Sequence, residues 1–535
     1  MGQGSGALMQ RRTFLGLSGA ALGLGGCEQP APVEGGFTGI NVQRGHALRE
    51  LRQIPEPQTT RRTQILIAGG GVAGLAAARA LRQRGIEDFA LLEMEDGAGG
   101  NARAGKLGGM ACPLGAHYLP VPGADAHEVQ ALLEELGLRQ RVAGRWRYDE
   151  RHLVHSPQER LFFQGSWQDG LLPMEGISQA TLAQYRRFAH RVDALARTNR
   201  FMIPATRGAF TAEQAALDAV TADTWLGREG FDDPHLRWYL DYSCRDDYGA
   251  SLARVSAWAC IHYFASRHGF HMPGEAEEAR DGESGTLTWP EGNAWLTQRL
   301  AAPLGDRVRT GHSVLRITQE REGVSVDALN HADGRVTRWQ AAQCIVALPV
   351  FIAARLVQNP PAVLTETARR MAYAPWLVAN LHISTPLQDH EGAAPSWDNV
   401  VYGETGGGLG YVDARHQSLN PTPGPTVLTY YRAPGDTPDA RKHLLNEPWT
   451  HWRDSVLSSM SVPHPDLPER LTRMDITRYG HAMAIPLPGT QQYLRGITSG
   501  TEVRSGRLHF AHADWSGYSI FEEAFTRGHL AGLAV

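Results

Sequence analysis

The sequence ILIAGGGVAGLAAARAL, which spans residues 65–81, decides the class of fold. Its apolar beginning predicts a buried parallel strand, and its alanine-rich end predicts a helix. Three glycines lie between the two in the spacing G-x-G-x-x-G: Gly69, Gly71 and Gly74. In a dinucleotide site the first of these glycines permits a tight turn, the second leaves room for a pyrophosphate and the third lets the helix pack close to the strand. We therefore expect the amide groups of Val72 and Ala73, at the start of the helix, to point at phosphates.

Two further features follow the helix. The apolar run of residues 89–92 predicts a second strand, and it ends in Glu93, where an acidic residue binds the ribose hydroxyl groups of a dinucleotide. A second glycine-rich segment comes next, with four residues of interest: Gly99, Gly100, Asn101 and Arg103. Because a nicotinamide site has no general need for this glycine pair, the pair points to another dinucleotide.

The order of these motifs resembles the FAD site of the flavin-dependent amine oxidase and phytoene desaturase superfamily, and the resemblance covers roughly residues 62–535. It implies an α/β fold in which a Rossmann-like FAD-binding domain is interleaved with an α+β substrate domain, as in amine oxidases. The FAD-binding domain would comprise three segments: residues 62–120, 270–349 and 490–535. The substrate domain would comprise residues 121–269, expected to be largely helical, and residues 350–489, expected to be rich in strands.

The resemblance places a second half of the nucleotide site near the C-terminal end of the sequence. Residues 508–525 resemble the superfamily's F-A-G-D/E segment and the helix that follows it. By this resemblance Asp514 binds the ribityl chain of the flavin, and the helix that begins near Phe521 directs its N-terminal dipole at the flavin N1–O2 edge. Two more cofactor contacts are implied: Ala116, in a turn that runs past the isoalloxazine ring, and Val314, whose backbone contacts the adenine.

Four side chains are expected around the flavin face as catalytic residues: His117, His481, Trp515 and Tyr518. None of them is an evident base, and His117 is equally compatible with a core histidine whose hydrogen bonds are satisfied. The lysine that amine oxidases of the superfamily carry near flavin N5 is missing from the corresponding residues 376–381. His481 stands where relatives have the cysteine that bonds to the flavin, and Ala482 stands where they have a ring of an aromatic cage. The resemblance therefore implies that FAD is bound non-covalently.

The composition excludes several other classes of function. The formal net charge is −4 and the folded part contains no basic run, so no nucleic-acid partner is expected. The five cysteines include no CxxC pair, which excludes a zinc ribbon and a redox dithiol. No metal site is expected, because the spacing of one cysteine and three histidines matches no ligand set: Cys260, His262, His268 and His271.

The N-terminal segment predicts export. Arg11 and Arg12 precede an apolar stretch too short to span a bilayer, so residues 1–27 resemble a twin-arginine signal. Cys27 resembles the acylated cysteine of a lipoprotein, and the alternative is a plain signal with an incidental cysteine. Residues 28–61 are expected to form a tether. The protein would then be periplasmic or anchored to a bacterial membrane by lipid at Cys27.

The predicted function is that of an FAD-dependent oxidoreductase acting on a small amine-like substrate. A hydride would pass from a substrate C–H bond to flavin N5, while the protein orients the substrate and excludes water. Two alternatives remain open: a desaturase or isomerase of an apolar substrate, and a non-catalytic FAD-binding protein of the cell envelope. Residues 241–249, in which paired carboxylates adjoin an arginine, are compatible with a polar pocket and with an ion-paired helix end.

Overall fold

The computed structural model of the chain describes Met1 and residues 33–50, 53–267, 269–272, 285–417, 422–498 and 502–535. The predicted signal, with Arg11, Arg12 and Cys27, and the first part of the predicted tether lie outside the described residues. Within the described ranges, no helix has both the length and the apolar character needed to cross a bilayer.

The described residues form 22 strands and 16 α-helices. The strands are β1 (Glu34–Phe37), β2 (Thr59–Ala68), β3 (Phe89–Leu92), β4 (Ala104–Leu107), β5 (Met110–Pro113), β6 (Tyr118–Pro120), β7 (Arg139–Val142), β8 (Arg145–Tyr148), β9 (Glu159–Phe163), β10 (Ser166–Asp169), β11 (Thr286–Thr288), β12 (Val308–Arg309), β13 (His312–Gln319), β14 (Val324–Asn330), β15 (Val336–Val346), β16 (Ala372–Ile383), β17 (Asp398–Val401), β18 (Gly408–Asp413), β19 (Thr426–Arg432), β20 (Leu471–Ile485), β21 (Val503–Ser505) and β22 (Leu508–Phe510). The helices are α1 (Val42–Glu50), α2 (Val72–Gln83), α3 (His127–Glu135), α4 (Gln179–Thr198), α5 (Ala212–Asp218), α6 (Ala222–Arg228), α7 (Pro234–Tyr248), α8 (Ala257–Ala265), α9 (Ala294–Ala301), α10 (Val350–Leu356), α11 (Ala362–Arg370), α12 (Pro438–Asn446), α13 (Trp449–Met460), α14 (Leu467–Arg470), α15 (Thr490–Thr498) and α16 (Phe521–Ala534).

The first of two large sheets has the order β12-β3-β2-β15-β14-β13. Strand β2 is parallel to both β3 and β15, and the end of β15 also pairs in parallel with β22. The four residues of β3 and the last four of β2 are all buried, which explains why their sequences are continuously apolar rather than alternating. The predicted α/β, Rossmann-like fold is confirmed, and each of the three segments assigned to the FAD-binding domain supplies strands to this sheet.

Helix α2 lies against helix α16 at a distance that only glycine permits. A Cβ atom on Gly528 would stand 1.9 Å from the carbonyl oxygen of Ala73, and one on Gly532 would stand 2.6 Å from that of Ala77. The alanines of α2 and the glycines of α16 therefore let the two helix backbones touch. This contact fixes the C-terminal helix on the helix that follows the G-x-G-x-x-G turn.

The second large sheet has the order β1-β20-β16-β19-β18-β17-β9-β10. Successive residues of β16 face opposite sides of it, as the pleat requires. Leu377 and Leu381 pack with α12 and α13, whereas Trp376 and Val378 pack on the other face with Tyr242 of α7. Helices α4 to α8 form a cap with a core of its own. The insertion of residues 121–269 is thus less helical than its periodicity predicts, because β9 and β10 complete this sheet.

The prediction of a tether over residues 28–61 is wrong for the part that the structure describes. Strand β1 pairs in parallel with β20, and α1 follows it. The chain is then held to the first sheet, since Arg103 donates to the carbonyl oxygen of Gly39 (2.6 Å) and Glu95 accepts from the backbone N–H of Asn41 (3.0 Å). An edge strand pairs through backbone groups and needs no apolar pattern, so the polar composition of the segment does not reveal it.

The α2–α16 contact predicts opposite effects for two glycine-to-alanine substitutions. Gly528→Ala forces a methyl group onto a backbone carbonyl, and we expect it to lower the free energy of unfolding by about 1–3 kcal/mol. Gly496→Ala is the matched control, because Gly496 also lies in a helix but has no neighbour within 4 Å of the added Cβ, so we expect a gain of about 0.5–1 kcal/mol. Urea denaturation followed by circular dichroism measures both. Equal effects of the two variants would contradict the proposed helix contact.

Candidate functional site

The three glycines of the first turn have three different environments. Gly69 has a φ of +105°, and a Cβ there would stand 2.4 Å from the carbonyl oxygen of Ala347. A Cβ on Gly74 would stand 1.9 Å from the carbonyl oxygen of Gly69, so the helix lies directly against the turn. A Cβ on Gly71 would meet only the Cα of Gly100, at 3.8 Å. Gly69 and Gly74 are therefore required by the fold, whereas Gly71 leaves space that the protein does not use.

That space lies between two glycine-rich loops. Gly99 donates its N–H to the carbonyl oxygen of Gly70 (2.7 Å), and Gly99 and Gly100 have φ values of +129° and +59°. No side chain caps the N-terminus of α2, so the amide groups of its first turn, from Val72 on, are left for a ligand. A gap lined by glycine at the positive end of a helix is the cradle that a pyrophosphate requires, and the residues present fit the predicted dinucleotide.

Glu93 follows β3 and is fixed by backbone groups on both sides. Its Oε2 accepts from the N–H of Gly70 (2.8 Å), and its Oε1 accepts from the N–H of Glu95 (2.8 Å). Burial raises the pKa of Glu93, although the two amide groups and nearby Arg103 oppose the shift. The carboxylate therefore lies beside the glycine turn, where the sequence predicts a ribose contact.

Asn101 and Arg103 connect the second glycine loop to other parts of the fold. Asn101 donates from Nδ2 to the carbonyl oxygen of Ala482 in β20 (2.8 Å), and its own carbonyl oxygen accepts from the N–H of Ala116 (2.9 Å). Arg103 donates from Nε to the carbonyl oxygen of Gly100 (3.1 Å). Both side chains thus brace the loop, and the Ala116 turn predicted at the flavin ring is joined to it directly.

Asp514 is buried in the segment that follows β22, the strand that pairs in parallel with the end of β15. Its Oδ2 accepts from the N–H of Val350 (2.8 Å) and from the hydroxyl group of Tyr373 (2.7 Å), and its Oδ1 lies 3.0 Å from Nδ1 of His512. Burial alone would raise the pKa of Asp514, but these partners hold it below the ordinary value. The acid predicted to bind the ribityl chain is therefore ionised and held rigidly.

Val314, predicted to contact the adenine, and Phe521, predicted to begin the helix that faces the flavin, lie on elements next to the groove. Strand β13 begins beside Glu93, because the N–H of His312 donates to the Glu93 carbonyl oxygen (2.7 Å), and Val314 lies at a β-bulge in this strand. Phe521 is the first residue of α16 and stacks on Phe525 at a centroid distance of 5.8 Å.

The four predicted flavin-face side chains do not meet at one place. His117 lines a cavity, whereas His481 packs on Phe351 with ring centroids 4.7 Å apart. Desolvation, aided in the second case by Arg441 and His46, lowers the pKa of His117 to about 3 and that of His481 to about 4, so both are neutral at physiological pH.

Trp515 and Tyr518 are buried in two different cores. Trp515 packs near Phe510, and Tyr518 packs among the helices of the cap. The Tyr518 hydroxyl group donates to Oε1 of Glu523 (2.7 Å), which also accepts from the N–H of Ala205 (2.6 Å). These bonds join α16 to the cap, and the Tyr518 ring lies in the protein interior.

The cavity beside His117 has a volume of about 140 Å³. Six aromatic side chains line it: His117, Tyr118, Tyr242, Tyr263, Trp397 and Tyr431. His117 stacks on Tyr431 at a centroid distance of 4.3 Å. The hydroxyl group of Tyr431 donates to the carbonyl oxygen of Gly115 (3.1 Å), which fixes the turn that precedes Ala116. The cavity is therefore in direct contact with the segment predicted to run past the flavin ring.

Three carboxylates lie in the cavity wall: Glu159, Asp246 and Asp398. Asp246 accepts a hydrogen bond from the hydroxyl group of Tyr118 (3.3 Å), and burial together with the neighbouring Asp247 raises its pKa to about 7. Burial and the other two carboxylates raise the pKa of Asp398 well above its ordinary value. A small cavity with ring walls and acidic groups is suited to a small cationic molecule.

Both interpretations of residues 241–249 hold in part. Asp241 and Arg245 form an ion pair along α7 (2.6 Å), as an ion-paired helix predicts, whereas Asp246 lines the cavity. No fixed spacing relates Glu159, Trp397, Asp398 and Tyr431 to the glycine motifs, so the sequence does not predict them as site residues. The pairing of β9 with β17, which no local pattern reveals, is what brings two of them together.

The metal interpretation of residues 260–271 has no support in the described part of the chain. His262 is buried, its Nε2 lies 2.9 Å from the carbonyl oxygen of Met202, and its ring stacks on Trp258. His268 lies outside the described residues.

Comparison with known proteins gives one family and a consistent fold. The model of the family described as flavin-containing amine oxidoreductase matches residues 72–532. An L-amino acid dehydrogenase of Synechocystis sp. is 24% identical over 344 residues, which cover 61% of this chain and 65% of that protein. The flavin-containing amine oxidase B of Homo sapiens is 24% identical over 310 residues, which cover 56% of this chain and 52% of that protein. The chain thus spans less than two thirds of the length of either relative.

Among solved structures, a putrescine oxidase bound to putrescine is similar to this chain with a TM-score of 0.66 and 19% identity, covering 89% of this chain and 99% of that one. At this identity the likeness shows the fold alone.

The unused space at Gly71 predicts a variant that folds but loses its cofactor. Gly71 has a φ of −74°, which any residue adopts, so Gly71→Val introduces no backbone strain. Its side chain would occupy the path of the pyrophosphate, and we expect the flavin content of the purified protein to fall below about a tenth of that of the wild type, with an unchanged circular dichroism spectrum. Gly227→Ala, in a helix with no neighbour within 4 Å, is the control and should retain its flavin. A Gly71→Val protein with full flavin content would contradict the assignment of the groove.

Proposed function

Because the chain belongs to the family of flavin-containing amine oxidoreductases, whose cofactor is FAD, we propose that it is an enzyme that oxidises a small amine. The residues that would hold FAD are those of the two glycine loops, Glu93 and Asp514. When bound, FAD would supply a two-electron oxidant for the substrate C–H bond next to nitrogen, and hydrolysis of the resulting imine would release the product. The protein's own task is to select the amine, orient its C–H bond and exclude water.

The observation that carries the proposal is the character of the cavity beside His117. Aromatic faces attract ammonium groups and exclude water, and ionised carboxylates attract them more strongly. His117 is uncharged, so it contributes a ring to the wall without repelling a cation. Tyr431 stacks on that ring and, through Gly115, fixes the turn predicted to lie along the flavin.

The same cavity argues against the other two hypotheses. A desaturase or isomerase of a long apolar substrate needs an open hydrophobic tunnel, whereas this cavity is about 140 Å³ and has Asp246 and Asp398 in its wall. Pockets for drug-sized ligands start at roughly 300 Å³, so the substrate is small. A non-catalytic envelope protein has no use for acidic groups placed beside the flavin-side segment.

The experiment that tests the proposal is anaerobic titration of the yellow holoenzyme with 1-aminobutane, benzylamine, 1,4-diaminobutane and, as an apolar probe, oleate. We expect at least one amine to bleach the visible absorbance of the oxidised flavin, and oleate to leave it unchanged. Bleaching by oleate alone would favour an apolar substrate. A flavin that no amine reduces, in protein that dithionite does reduce, would contradict the proposed function.

The stacking of His117 on Tyr431 predicts which part of that tyrosine matters. Tyr431→Phe keeps the ring and loses only the hydrogen bond to Gly115, so we expect kcat/KM for the best amine within about threefold of the wild type. Tyr431→Leu removes the ring from the cavity wall and should lower kcat/KM by about tenfold or more. Steady-state assays with an artificial electron acceptor measure both, and the thermal midpoint controls for folding. Equal activity of the two variants would show that the ring does not contact the substrate.

A further inference from the structure

Helix α16 extends past the start of α2, on the side where the cofactor groove lies. Gly528 contacts Ala73 and Gly532 contacts Ala77, so the two helices run in the same direction. Ala73 is the second residue of α2, whereas Gly528 is the eighth residue of α16. At a rise of about 1.5 Å per residue, α16 therefore begins about 9 Å beyond α2. Its first turn extends from the pyrophosphate cradle toward the flavin half of the predicted site.

This exposed helix end carries acidic side chains instead of a cap. The residue before the helix is Ile520, whose apolar side chain cannot accept from the amide groups of the first turn. Glu522 and Glu523 follow within that turn and are only 4% and 0% exposed. The N-terminus of a helix carries about half a positive elementary charge, which stabilises carboxylates near it. The two carboxylates in turn offset the positive field that the helix would direct at a ligand.

Glu523 is held by donors from the cap. Its Oε1 accepts from the N–H of Ala205 (2.6 Å) and from the hydroxyl group of Tyr518 (2.7 Å). Burial and the charge of Glu523 raise the pKa of Tyr518, so this hydroxyl group keeps its proton and donates it. Among the described residues, Oε2 of Glu523 is buried and has no hydrogen-bond partner. The carboxylate is therefore stabilised through one oxygen, while the other stays without a bond near the start of the helix.

Two buried arginines, Arg495 and Arg527, lie close enough to Glu523 to offset part of its charge. Burial lowers the pKa of both guanidinium groups, and the charge of Glu523 opposes this shift. Both arginines also donate to backbone carbonyl oxygens of neighbouring turns. They reduce the field of the carboxylate but remain in place when Glu523 is replaced by glutamine. The difference between glutamate and glutamine at this position therefore measures the effect of one negative charge.

Glu522 is the second carboxylate of the turn, and its charge depends on pH. Burial raises its pKa to about 7. Its own backbone N–H and Arg267, which follows α8, oppose the shift, whereas Glu523 and Asp247 of α7 add to it. An acid with this pKa is mostly ionised at pH 8 and mostly protonated at pH 6. The start of α16 therefore carries more negative charge at the higher pH.

These charges matter because negative charge develops on a flavin when it takes up electrons. Fixed negative charges near the ring disfavour the reduced form, just as fixed donors and positive dipoles favour it. The effect is strong in a buried site, where water does not screen the charges. Acidic side chains in the first turn of α16 thus act against the helix dipole.

We propose that the carboxylates of Glu522 and Glu523 lower the reduction potential of FAD bound at the start of α16, so that the reduced flavin is a stronger electron donor. The inference concerns the cofactor and holds whichever substrate reduces it. A lower potential weakens the driving force for substrate oxidation and strengthens that for transfer of two electrons to the acceptor. The two side chains thereby favour reoxidation of the flavin.

The test measures the midpoint potential of the bound flavin in substrate-free holoenzyme at pH 8, by anaerobic reduction in the presence of a reference dye. Glu523→Gln keeps the size of the side chain and an oxygen that can accept from Ala205 and Tyr518, and it removes the charge. We expect the equilibrium constant for reduction to rise at least about tenfold, which is about 30 mV for two electrons. Coulomb's law gives an effect of this order for one charge at about 10 Å and an effective dielectric constant of about 20.

The matched control is Glu404→Gln. The Glu404 side chain is only 7% exposed and also accepts from a tyrosine, Tyr430. Tyr430, however, packs in the core that the second sheet forms with α12 and α13, so we expect this variant to keep the potential of the wild type. A Glu523→Gln holoenzyme whose potential equals that of the wild type, or changes no more than that of Glu404→Gln, would overturn the inference.

Glu522→Gln provides a second variant with a different signature. Because Glu522 gains its charge as the pH rises through about 7, this substitution should raise the potential more at pH 8 than at pH 6. The same comparison applies if Glu523→Gln does not fold, and equal potentials of Glu522→Gln and the wild type at pH 8 would then contradict the inference. Unchanged potentials in an enzyme that oxidises amines would overturn this inference alone. Raised potentials in variants of a protein that oxidises no amine would support it and contradict only the proposed function.

Discussion

The architecture depends on the parallel hydrogen bonding of one strand, β15, to two neighbours that are distant in sequence. Its last residues pair with β2 and also with β22. The loop that leaves β15 then contacts both halves of the nucleotide groove: the N–H of Ala347 donates to the carbonyl oxygen of Ala68 (2.8 Å), and the N–H of Val350 donates to Asp514 (2.8 Å). Since ligands of such sheets bind at the carboxyl ends of parallel strands, this pairing brings the two halves of the predicted cofactor site to one edge.

The FAD half of the site could be predicted from sequence because its requirements are local. Gly69 has a positive φ, and Gly74 lies where the helix packs against the turn, so glycine is the residue that fits at both positions. Each requirement can therefore be recognised from the local sequence. The acid after β3 follows from the length of the βαβ unit, and the C-terminal match predicts Asp514 as the ribityl contact, on the segment that follows β22. The α/β fold was predictable for the same reason.

The substrate half could not be predicted, because its residues are assembled by sheet register and helix packing rather than by spacing. Tyr118, Glu159, Asp246, Trp397 and Tyr431 come from five elements or loops. Only Asp246 lies in a segment, residues 241–249, whose sequence is compatible with a polar pocket, and no sequence pattern indicates a cavity at the other four. Trp515 and Tyr518 show the opposite limitation. Their position beside the flavin motifs suggested the flavin face, whereas the structure buries both rings in hydrophobic cores. The tether illustrates a third case, in which a polar edge strand has the composition of a linker.

The contact between α2 and α16 has a consequence for the order in which the molecule matures. Helix α2 and both glycine loops are synthesised early, but the backbone that covers α2, and the strand that brings Asp514 to the groove, leave the ribosome only after the whole substrate domain. Until then the nascent chain has half of a nucleotide site and an uncovered stripe of alanines. We therefore expect the flavin to be enclosed only after synthesis of the chain is complete, when α16 has packed on α2 and β22 has paired with β15.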